Sequence, residues 1–458
     1  MAKLISTNPA KNYKVIGSVD ISTLQEIKKK VADAHQAKTA WKEMGVKKRI
    51  VYLENMYQKF KDNKEKLLSL IIQETGKCVK DARVEVERYD NPFKWFLENA
   101  ELYLQDEATH EDDIMIHKIV YEPFGVAAVI TPWNHPVAMF VWGVIPNLLS
   151  GNVVVFKTSE ECPLSGRLIE KIINSVKLPQ GVFSEVYGDK KVGQLLMKQN
   201  INLVWFTGSS RAGKEVYKEA GKKFIKAILE MGGSNPGIIF ENVDVDRFID
   251  KIYAKRFLCC GQSCDALKRL IVHESLFDEV VQKLRLKIEE KKVGDPEDET
   301  TDIGSLAAKR QVDLLDLQVK DAIKKGAKVI IGGRRLEHLK GAYYLPTLLT
   351  NVKKNMRVWS EEVFGPVLVI VPFRTEEEAL QLANDTKYGL GSLIFTSDKE
   401  RAKRVSAKLE SGTVEINAAS HWLPCNPFGG YKESGMGREF GKQGFQELTQ
   451  IKVISMEK

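Results

Sequence analysis

Residues 203–224, LVWFTGSSRAGKEVYKEAGKKF, decide the fold class. The apolar run Leu203–Phe206 predicts a buried strand, a glycine-containing turn follows, and Lys214–Phe224 has the length and amphipathic pattern of a helix. The same alternation continues on both sides, with strands predicted at Val126–Ile130, Val153–Phe156 and Gly237–Phe240 and a helix at Leu164–Val176. Strand, helix and strand at this spacing indicate βαβ units around a buried parallel sheet.

The pattern recurs later, so we expect two α/β units in series that divide near Gly232–Gly233. The second unit has predicted strands at Arg269–His273, Lys328–Ile331, Val367–Val371 and Ser392–Phe395, and helices at Leu276–Lys291, Ala307–Lys325 and Thr375–Asn384. Three helices are predicted before residue 105, at Ser22–Trp41, Arg49–Glu74 and Val79–Leu104. Asp113–Tyr121 and Gln450–Ser455 alternate apolar and polar residues, as arms that pair between subunits do, so we expect an oligomer.

Composition excludes several classes of protein. The chain has 458 residues, 43% hydrophobic and 28% charged, which is typical of a globular protein of two or three packed units. The net charge of +8 is spread along the chain, so a nucleic-acid partner is not expected. No apolar run approaches the roughly 20 residues that cross a bilayer, and the first residues lack a secretory apolar core. Three of the six cysteines lie within residues 259–264, unlike a disulfide framework, so we expect a cytoplasmic enzyme with one thiol site and no metal.

The turn after Phe206 predicts a phosphate-binding site. Gly208 and Gly213 would let the backbone approach a pyrophosphate, whose charge the helix N-terminus would stabilise. The GxxxxGK spacing also begins a P-loop, but Glu215 stands where a nucleotide hydrolase needs Ser or Thr for Mg²⁺. An ordinary strand–turn–helix corner remains open on these residues alone.

Cys264, in GQSC (261–264), is the candidate nucleophile. A thiol attacks as thiolate, which needs a nearby base or positive surroundings, and a buried structural cysteine is the alternative. Glu230, in LEMGG (229–233), closes a strand-like run where a carboxylate packs badly but could face a cleft as the base. The glycines beside it are expected to leave room for substrate or water.

Two more segments carry polar residues directly after predicted strands. Asn134, in TPWNHP (131–136), could donate an N–H group to an oxyanion, although an ordinary proline-rich turn is equally open; His135 is interpreted as a wall residue. Lys157 and Glu160 could bind a ribose diol, with a surface ion pair as the alternative.

Together and in this order, these segments resemble the NAD(P)-dependent aldehyde dehydrogenases. Seven motifs lie in register across nearly the whole chain: TPWNHP (131–136), FKTSE (156–160), FTGSSRAG (206–213), LEMGG (229–233), GQSC (261–264), EEVFGPV (361–367) and PFGGYKESGMGRE (427–439). The interval of 34 residues between Glu230 and Cys264 is also the family's. The resemblance implies an α/β fold with a Rossmann-like NAD(P)-binding domain (1–112 and 124–232), a catalytic domain (233–433) and a β oligomerisation arm (113–123 and 443–458).

The resemblance also implies a mechanism. Cys264 attacks the aldehyde, Asn134 and the Cys264 N–H hold the thiohemiacetal oxyanion, a hydride passes to the nicotinamide, and Glu230 activates the water that hydrolyses the thioester. Glu439 matches a second acid of the proton relay. The cofactor positions are Trp133, Gly208 and Ser209 at the pyrophosphate, Lys157 and Glu160 at the adenosine ribose, and Glu362 and Phe364 at the nicotinamide ribose and ring.

Glu160 sets the expected cofactor. A carboxylate accepts hydrogen bonds from the ribose diol and repels a 2′-phosphate, so NAD is expected to be preferred. Lys157 offsets part of that repulsion, so NADP is expected to be tolerated.

The pocket for the substrate tail is expected to be apolar or uncommitted. GGSNP (232–236) resembles bacterial succinate-semialdehyde dehydrogenases, yet Trp142 and Leu258 stand where some of those enzymes place arginines for the substrate carboxylate. By the same resemblance, His135 and Phe428 complete the expected pocket wall. A cation could come from Lys268, Arg256 or the loop Ala418–Asn426, but no sequence feature indicates one.

Three alternatives stay open. The enzyme could be specifically a succinate-semialdehyde dehydrogenase, or the chain could be a catalytically silent binding protein, which the joint presence of Cys264, Glu230 and Asn134 disfavours. An acylating dehydrogenase that transfers to coenzyme A lacks the base, so Glu230 favours hydrolysis. A reversible disulfide of Cys259 or Cys260 with Cys264 is a separate hypothesis, against which two small core residues are the alternative.

Overall fold

The computed structural model describes residues 2–458. Its strands are β1 (Lys3–Asn8), β2 (Lys14–Asp20), β3 (Glu107–Glu111), β4 (Met115–Pro123), β5 (Val126–Ile130), β6 (Val153–Lys157), β7 (Phe183–Val186), β8 (Leu203–Thr207), β9 (Lys226–Glu230), β10 (Asn235–Ile239), β11 (Leu267–His273), β12 (Lys328–Ile331), β13 (Thr347–Thr350), β14 (Val367–Phe373), β15 (Tyr388–Gly389), β16 (Gly391–Phe395), β17 (Thr413–Ile416), β18 (Tyr431–Lys432), β19 (Gly435–Met436) and β20 (Thr449–Glu457).

Four of the helices precede residue 105. The helices are α1 (Leu24–Glu43), α2 (Val46–Asp62), α3 (Lys64–Thr75), α4 (Val79–Leu104), α5 (Pro136–Leu149), α6 (Pro163–Val176), α7 (Lys190–Met197), α8 (Ser210–Lys223), α9 (Ile249–Phe257), α10 (Phe277–Glu289), α11 (Lys309–Lys324), α12 (Arg357–Ser360), α13 (Glu376–Asn384), α14 (Lys399–Ser406) and α15 (Gly441–Glu447), with 3₁₀ turns at Leu258–Gly261 and Glu274–Leu276. Within residues 2–458, no helix is both long enough and apolar enough to span a bilayer.

The first large sheet has the order β19-β9-β8-β5-β6-β7. Strands β5 to β9 run parallel, and β19 is antiparallel to β9. Strand β5 is buried at every residue, as its continuous apolar run predicts for a parallel sheet covered on both faces. The strand order reverses between β5 and β8, so a crevice at their carboxyl ends receives TPWNHP (131–136) and the turn after Thr207.

The second large sheet has the order β12-β13-β14-β11-β10-β16-β17. All neighbours are parallel except β12 and β13. Cys264 lies three residues before the central strand β11, and β10 begins directly after the glycines that follow Glu230. The α/β class and the two sheets in series are therefore confirmed.

The helix predicted over Arg49–Glu74 is wrong in one respect, because α2 and α3 are separate and meet at Asn63. The backbone of Asn63 leaves the helical region (φ −107°, ψ 11°), and its side chain donates to the Lys59 carbonyl at 2.9 Å. Such a local side-chain bond competes with the helix ladder. Helix α4 spans its predicted range, and α1 begins after Thr23, which forms a capping box with Glu26.

The arm is a three-stranded antiparallel sheet in the order β20-β4-β3. Strand β3 was not predicted. The predicted first domain includes residues 107–111, but these residues pair with β4 of the arm. Their sequence, EATHE, lacks the apolar alternation that signals a strand. Strand β20 exposes Ile451, Val453 and Met456.

Candidate active site

Glu230 ends strand β9, and a later segment of the chain returns beside it. Gly435 of β19 pairs with Glu230, which brings Glu439 back to the same end of the sheet. The Thr207 hydroxyl donates to Glu439 Oε1 at 3.3 Å, and the Gly208 N–H donates to the Glu230 carbonyl at 3.0 Å. Three of the motifs found in the sequence therefore meet at Glu230.

Cys264 follows a tight turn between α9 and β11. Cys259 and Cys260 both have φ of 55°, in the left-handed region, and Gly261 has φ of 69°. A Cβ on Gly261 would collide with the Gly365 carbonyl. Glycine is therefore required there both by conformation and by space.

The glycines after Glu230 admit protein groups rather than the substrate or water that we expected. A Cβ on Gly232 would collide with the Glu362 carboxylate, and one on Gly233 would lie 2.7 Å from the Cys264 carbonyl oxygen. Glu362 also accepts the Gly233 N–H at 3.0 Å. These close approaches hold the thiol segment against the end of β9.

Cys264, Glu230 and Glu439 form one group of interacting titratable side chains. Burial, followed by the charge of Glu230, raises the pKa of the Cys264 thiol well above its usual range. Burial and then the charge of Glu439 raise the pKa of Glu230, and burial raises the pKa of Glu439. In the described chain, Glu230 Oε1 and Glu439 Oε2 have no hydrogen-bond partner. Perturbed acids with unused oxygens suit proton transfer to or from a bound molecule.

Asn134 and the Cys264 backbone leave two N–H groups available beside the thiol. Asn134 Nδ2 donates to the Gln262 carbonyl at 3.1 Å, which uses one of its two hydrogens. The Cys264 N–H has no acceptor among residues 2–458. Lys268 Nζ fixes the Cys264 carbonyl at 2.7 Å, and Gln262 Oε1 accepts the Ala307 N–H at 3.0 Å. A rigid pair of free donors is what an oxyanion site requires.

The residues matched to the nicotinamide lie together. Phe364 packs edge-on against Trp133, with ring centroids 5.5 Å apart. Lys268 Nζ lies 5.7 Å from the Phe364 ring centre and donates to Glu362 at 3.2 Å. Glu362 and Phe364 are thus fixed beside the Cys264 segment.

The residues matched to the ribose lie at the end of β6. Lys157 is buried, burial lowers its pKa, and Nζ donates to the Thr158 carbonyl at 3.1 Å. Glu160 accepts from Arg310 of α11 at 3.4 Å, and Glu161 accepts from the same guanidinium at 2.8 Å. The contact with Arg310 was not foreseen.

Two residues of the predicted phosphate turn have structural partners. Ser209 caps α8 by accepting the Ala212 N–H at 3.3 Å. Gly213 lies inside α8, where the Met231 sulfur fills the space that a Cβ would take. Packing therefore explains Gly213 without a phosphate, whereas Gly208 lies in the turn itself.

On another side of the thiol segment, aromatic residues gather around Trp422. The Trp422 ring centroid lies 5.4 Å from Trp142 and 5.1 Å from Phe428. Trp422 Nε1 donates to Asp265, the neighbour of Cys264, at 3.0 Å. Two of the residues predicted for the pocket wall therefore lie together, and Leu258 is half-buried at the end of α9.

His135, also predicted for the wall, is almost fully buried between two cations. Lys77 Nζ lies 3.0 Å from His135 Nδ1, and Arg88 Nη1 lies 3.0 Å from Nε2. Lys77 is ion-paired with Glu85. Burial, with the charges of Lys77 and Arg88, lowers the pKa of His135 to about 3, so the ring is neutral at ordinary pH.

Sequence reasoning missed Arg88, Lys77, Glu85 and Trp422. One signal was present: Asp81 and Glu85 interrupt the apolar positions of α4, yet the structure buries both. Buried charges on an amphipathic helix require partners, so these two carboxylates indicate cations in contact with α4.

The predicted sources of a tail cation are engaged elsewhere. Arg256 is fully buried and donates to the carbonyls of Leu267, Val363 and Gly365. Lys268 donates to Cys264 and Glu362 as described. In the loop Ala418–Asn426, His421 Nδ1 lies 2.7 Å from Glu415.

Cys259 and Cys260 are buried, and burial raises the pKa of Cys259 to about 12. The Cys259 N–H donates to Asp81 at 2.7 Å. All six cysteines are unpaired. Both thiols are fully buried, whereas Cys264 is half-buried, which favours the interpretation of Cys259 and Cys260 as small core residues.

Comparison with known proteins gives consistent results. Residues 2–454 match the aldehyde dehydrogenase family. The chain is 36% identical to a succinate-semialdehyde dehydrogenase [NADP(+)] of Deinococcus radiodurans, over 94% of this chain and 90% of that protein. It is 34% identical to the chloroplastic betaine aldehyde dehydrogenase of Beta vulgaris, over 98% and 92%. A crystal structure of betaine aldehyde dehydrogenase from Staphylococcus aureus in complex with NAD⁺ superposes with a TM-score of 0.94 at 32% identity, covering 99% of this chain and 91% of that one.

Proposed function

The chain belongs to the aldehyde dehydrogenase family and is an NAD(P)-dependent enzyme that oxidises an aldehyde, and we propose that Cys264 is its nucleophile. The observation that carries this proposal is the convergence of Cys264 with Glu230 and Glu439 at the carboxyl end of β9. We expect Cys264 to lose its proton to the Glu230–Glu439 pair, and through it to solvent, and the thiolate to attack the carbonyl carbon and form a thiohemiacetal. Asn134 Nδ2 and the Cys264 N–H donate to its oxyanion.

Glu230 acts again at the second stage. When bound, NAD(P)⁺ accepts the hydride from the substrate. The thioester then remaining on Cys264 is hydrolysed by a water from which Glu230 removes a proton, and Glu439 receives that proton or shares it with Glu230. The free oxygens Glu230 Oε1 and Glu439 Oε2 support these roles.

The crevice between β5 and β8 fits a dinucleotide. Lys157 is a buried ammonium with unused hydrogens, and the buried Thr131 hydroxyl has no partner in the described chain. We propose that Lys157 and Glu160 bind the adenosine ribose, with Trp133, Gly208 and Ser209 near the pyrophosphate and Glu362 and Phe364 at the nicotinamide. The Glu160 carboxylate favours NAD over NADP. Arg310 neutralises part of its charge, which supports tolerance of NADP.

Three broader assignments are also proposals. We propose that the arm, formed by β3, β4 and β20, joins two subunits and that such dimers can pair into tetramers, because β20 exposes Ile451, Val453 and Met456 in one strand. We propose a cytoplasmic location, because all six cysteines are unpaired. We propose that the aldehyde binds beside Trp142, with succinate semialdehyde as one candidate.

Replacement of the nucleophile tests the catalytic proposal. Cys264→Ser should lower NADH formation at least about a thousandfold, since a serine hydroxyl with no adjacent strong base is a far weaker nucleophile than a thiol. Cys425→Ser, at an exposed cysteine, is the matched control and should keep wild-type turnover. Aldehyde oxidation by Cys264→Ser at the wild-type rate would overturn the proposal and favour another nucleophile.

A further inference from the structure

Arg88 is a half-buried cation without an acidic partner. It lies on α4, one turn after Glu85, and its guanidinium sits 5.1 Å from the Trp422 ring centre. Its one side-chain hydrogen bond goes to His135 Nε2. Among residues 2–458 no carboxylate forms an ion pair with it. Because a guanidinium has five N–H donors, most of its capacity is unused.

The nearby acids are already occupied. Glu85 binds Lys77 and accepts the Val137 N–H at 3.1 Å. Asp265 accepts from Ser263 at 2.6 Å and from Trp422. Burial opposes ionisation of Asp265, but Lys255 and then Arg88 lower its pKa, so its charge reaches Arg88 without a direct contact.

The hydrogen bond to His135 orients the Arg88 guanidinium but does not neutralise its charge. Arg88 and Lys77 both only donate, and a neutral imidazole has a single lone pair, so the ring can accept a full hydrogen bond from one of them at a time. The ring therefore accepts from Arg88 without adding negative charge. Arg88 therefore keeps several N–H donors that no group in the described part of the protein uses.

Arg88 also lies against two residues expected to form the wall of the tail pocket, His135 and Trp142. His135 follows Asn134, Trp422 binds the neighbour of Cys264, and Trp142 Nε1 donates to the Arg88 carbonyl at 2.8 Å. The cofactor residues Phe364 and Glu362 form a separate cluster around Trp133 and Lys268. The aromatic cluster around Trp422 therefore carries one free cation.

We propose that Arg88 binds a carboxylate at the far end of the substrate, so that the enzyme prefers carboxylate-terminated aldehydes to neutral or cationic ones. This inference rests on the proposed function of Cys264. It names a cation that no sequence feature indicated, for a tail pocket expected to be apolar or uncommitted. The same charge over Trp422 would repel a trimethylammonium tail.

Paired substrates of equal chain length test the proposal. Succinate and glutarate semialdehyde are compared with butanal and pentanal by kcat/KM, and betaine aldehyde serves as the cationic probe. A charged hydrogen bond contributes about 1.5–3 kcal/mol, so wild type should favour the anionic member about 10- to 100-fold. Arg88→Met should remove most of that ratio, chiefly through KM, and Arg88→Lys should retain part of it.

The ratio of kcat/KM for the two members of a pair is measured on one preparation of enzyme. A loss of folded enzyme lowers both values equally and does not change the ratio. Arg83→Gln, at an exposed position of the same helix, is the control and should leave the ratio unchanged. A purely structural Arg88 would lower kcat/KM for both members of each pair equally, which would overturn the proposal, as would equal use of both members by wild type.

A binding measurement separates this inference from the catalytic proposal. Glutarate should slow iodoacetamide labelling of Cys264 in the wild type and have little effect in Arg88→Met, whether or not the protein turns over. Equal protection of both proteins would refute the role of Arg88. If glutarate protects Cys264 as expected but the wild type oxidises no aldehyde, the proposed catalysis is refuted instead.

Discussion

The two sides of the His135 ring differ in how their positive charge is balanced. At Nδ1, Lys77 is fully buried and bound to Glu85, whereas at Nε2, Arg88 is half-buried and forms no ion pair among the described residues, although the charge of Asp265 reaches it. The first arrangement satisfies a charge within the protein, and the second leaves one for a ligand. Cations near Cys264 therefore have to be judged by their partners: Lys268 is bound to Glu362 and the Cys264 carbonyl, and Arg256 is fully buried with its terminal nitrogens on backbone carbonyls.

The largest effect is expected on stability, at Lys77. Lys77→Met leaves Glu85 buried without its cation and should lower the free energy of unfolding by about 3–5 kcal/mol. Arg88→Met loses one hydrogen bond to a neutral ring and should cost about 1 kcal/mol. Urea-induced unfolding measures both.

Lys80→Met is the control for Lys77, because Lys80 is exposed and paired with Asp302 at 2.9 Å. Its loss should leave the free energy of unfolding nearly unchanged, because exposed ion pairs contribute little to stability. Similar losses for Lys77→Met and Arg88→Met would contradict the distinction between a balanced and an unbalanced cation.

A smaller effect, on activity alone, is expected at Lys268. Lys268→Met frees the Cys264 carbonyl and removes the contact with Glu362, so the thiol segment becomes less well positioned. We expect kcat/KM to fall about tenfold for every aldehyde, since misplacement of a reacting group costs rate regardless of the tail. The ratio between semialdehyde and neutral aldehyde should not change. A changed ratio would mean that Lys268, and not only Arg88, contacts the tail.

The smallest effect is a shift in pH dependence. Glu230 accepts a proton only as carboxylate, and burial with the charge of Glu439 raises its pKa, so kcat should rise with pH in a range above that of an ordinary carboxyl group. Glu439→Gln removes that neighbouring charge, lowers the pKa of Glu230 and should move the rising limb toward acid pH. Glu433→Gln, at a surface pair with Lys214, should leave the profile in place. If the rising limb of the pH profile stays in place in Glu439→Gln, Glu439 does not influence the pKa of Glu230.

Much of the fold followed from periodicity, because buried parallel strands are short apolar runs that stand out between helices. Strand β5 and helix α4 have their predicted bounds. Strand β3 was missed because EATHE carries no apolar alternation and is ordered by pairing with β4. The break at Asn63 depends on one side-chain bond that the hydrophobic pattern does not encode.

The site was predictable where its residues follow strands. Glu230 and the turn at Gly208 end parallel strands, and parallel strands bring their carboxyl ends to one edge. Arg88 and Trp422 come from a helix and a distant loop, and their contact is purely tertiary. The sequence pattern does not show whether an arginine side chain forms an ion pair with a carboxylate.

The most direct measurement of the catalytic account is a single-turnover experiment on Glu230→Gln with intact-mass analysis. We expect about one NADH per active site, followed by a stalled enzyme that carries the acyl group on the peptide containing Cys264. Continuous turnover at the wild-type rate, with no adduct on that peptide, would contradict the roles of both residues.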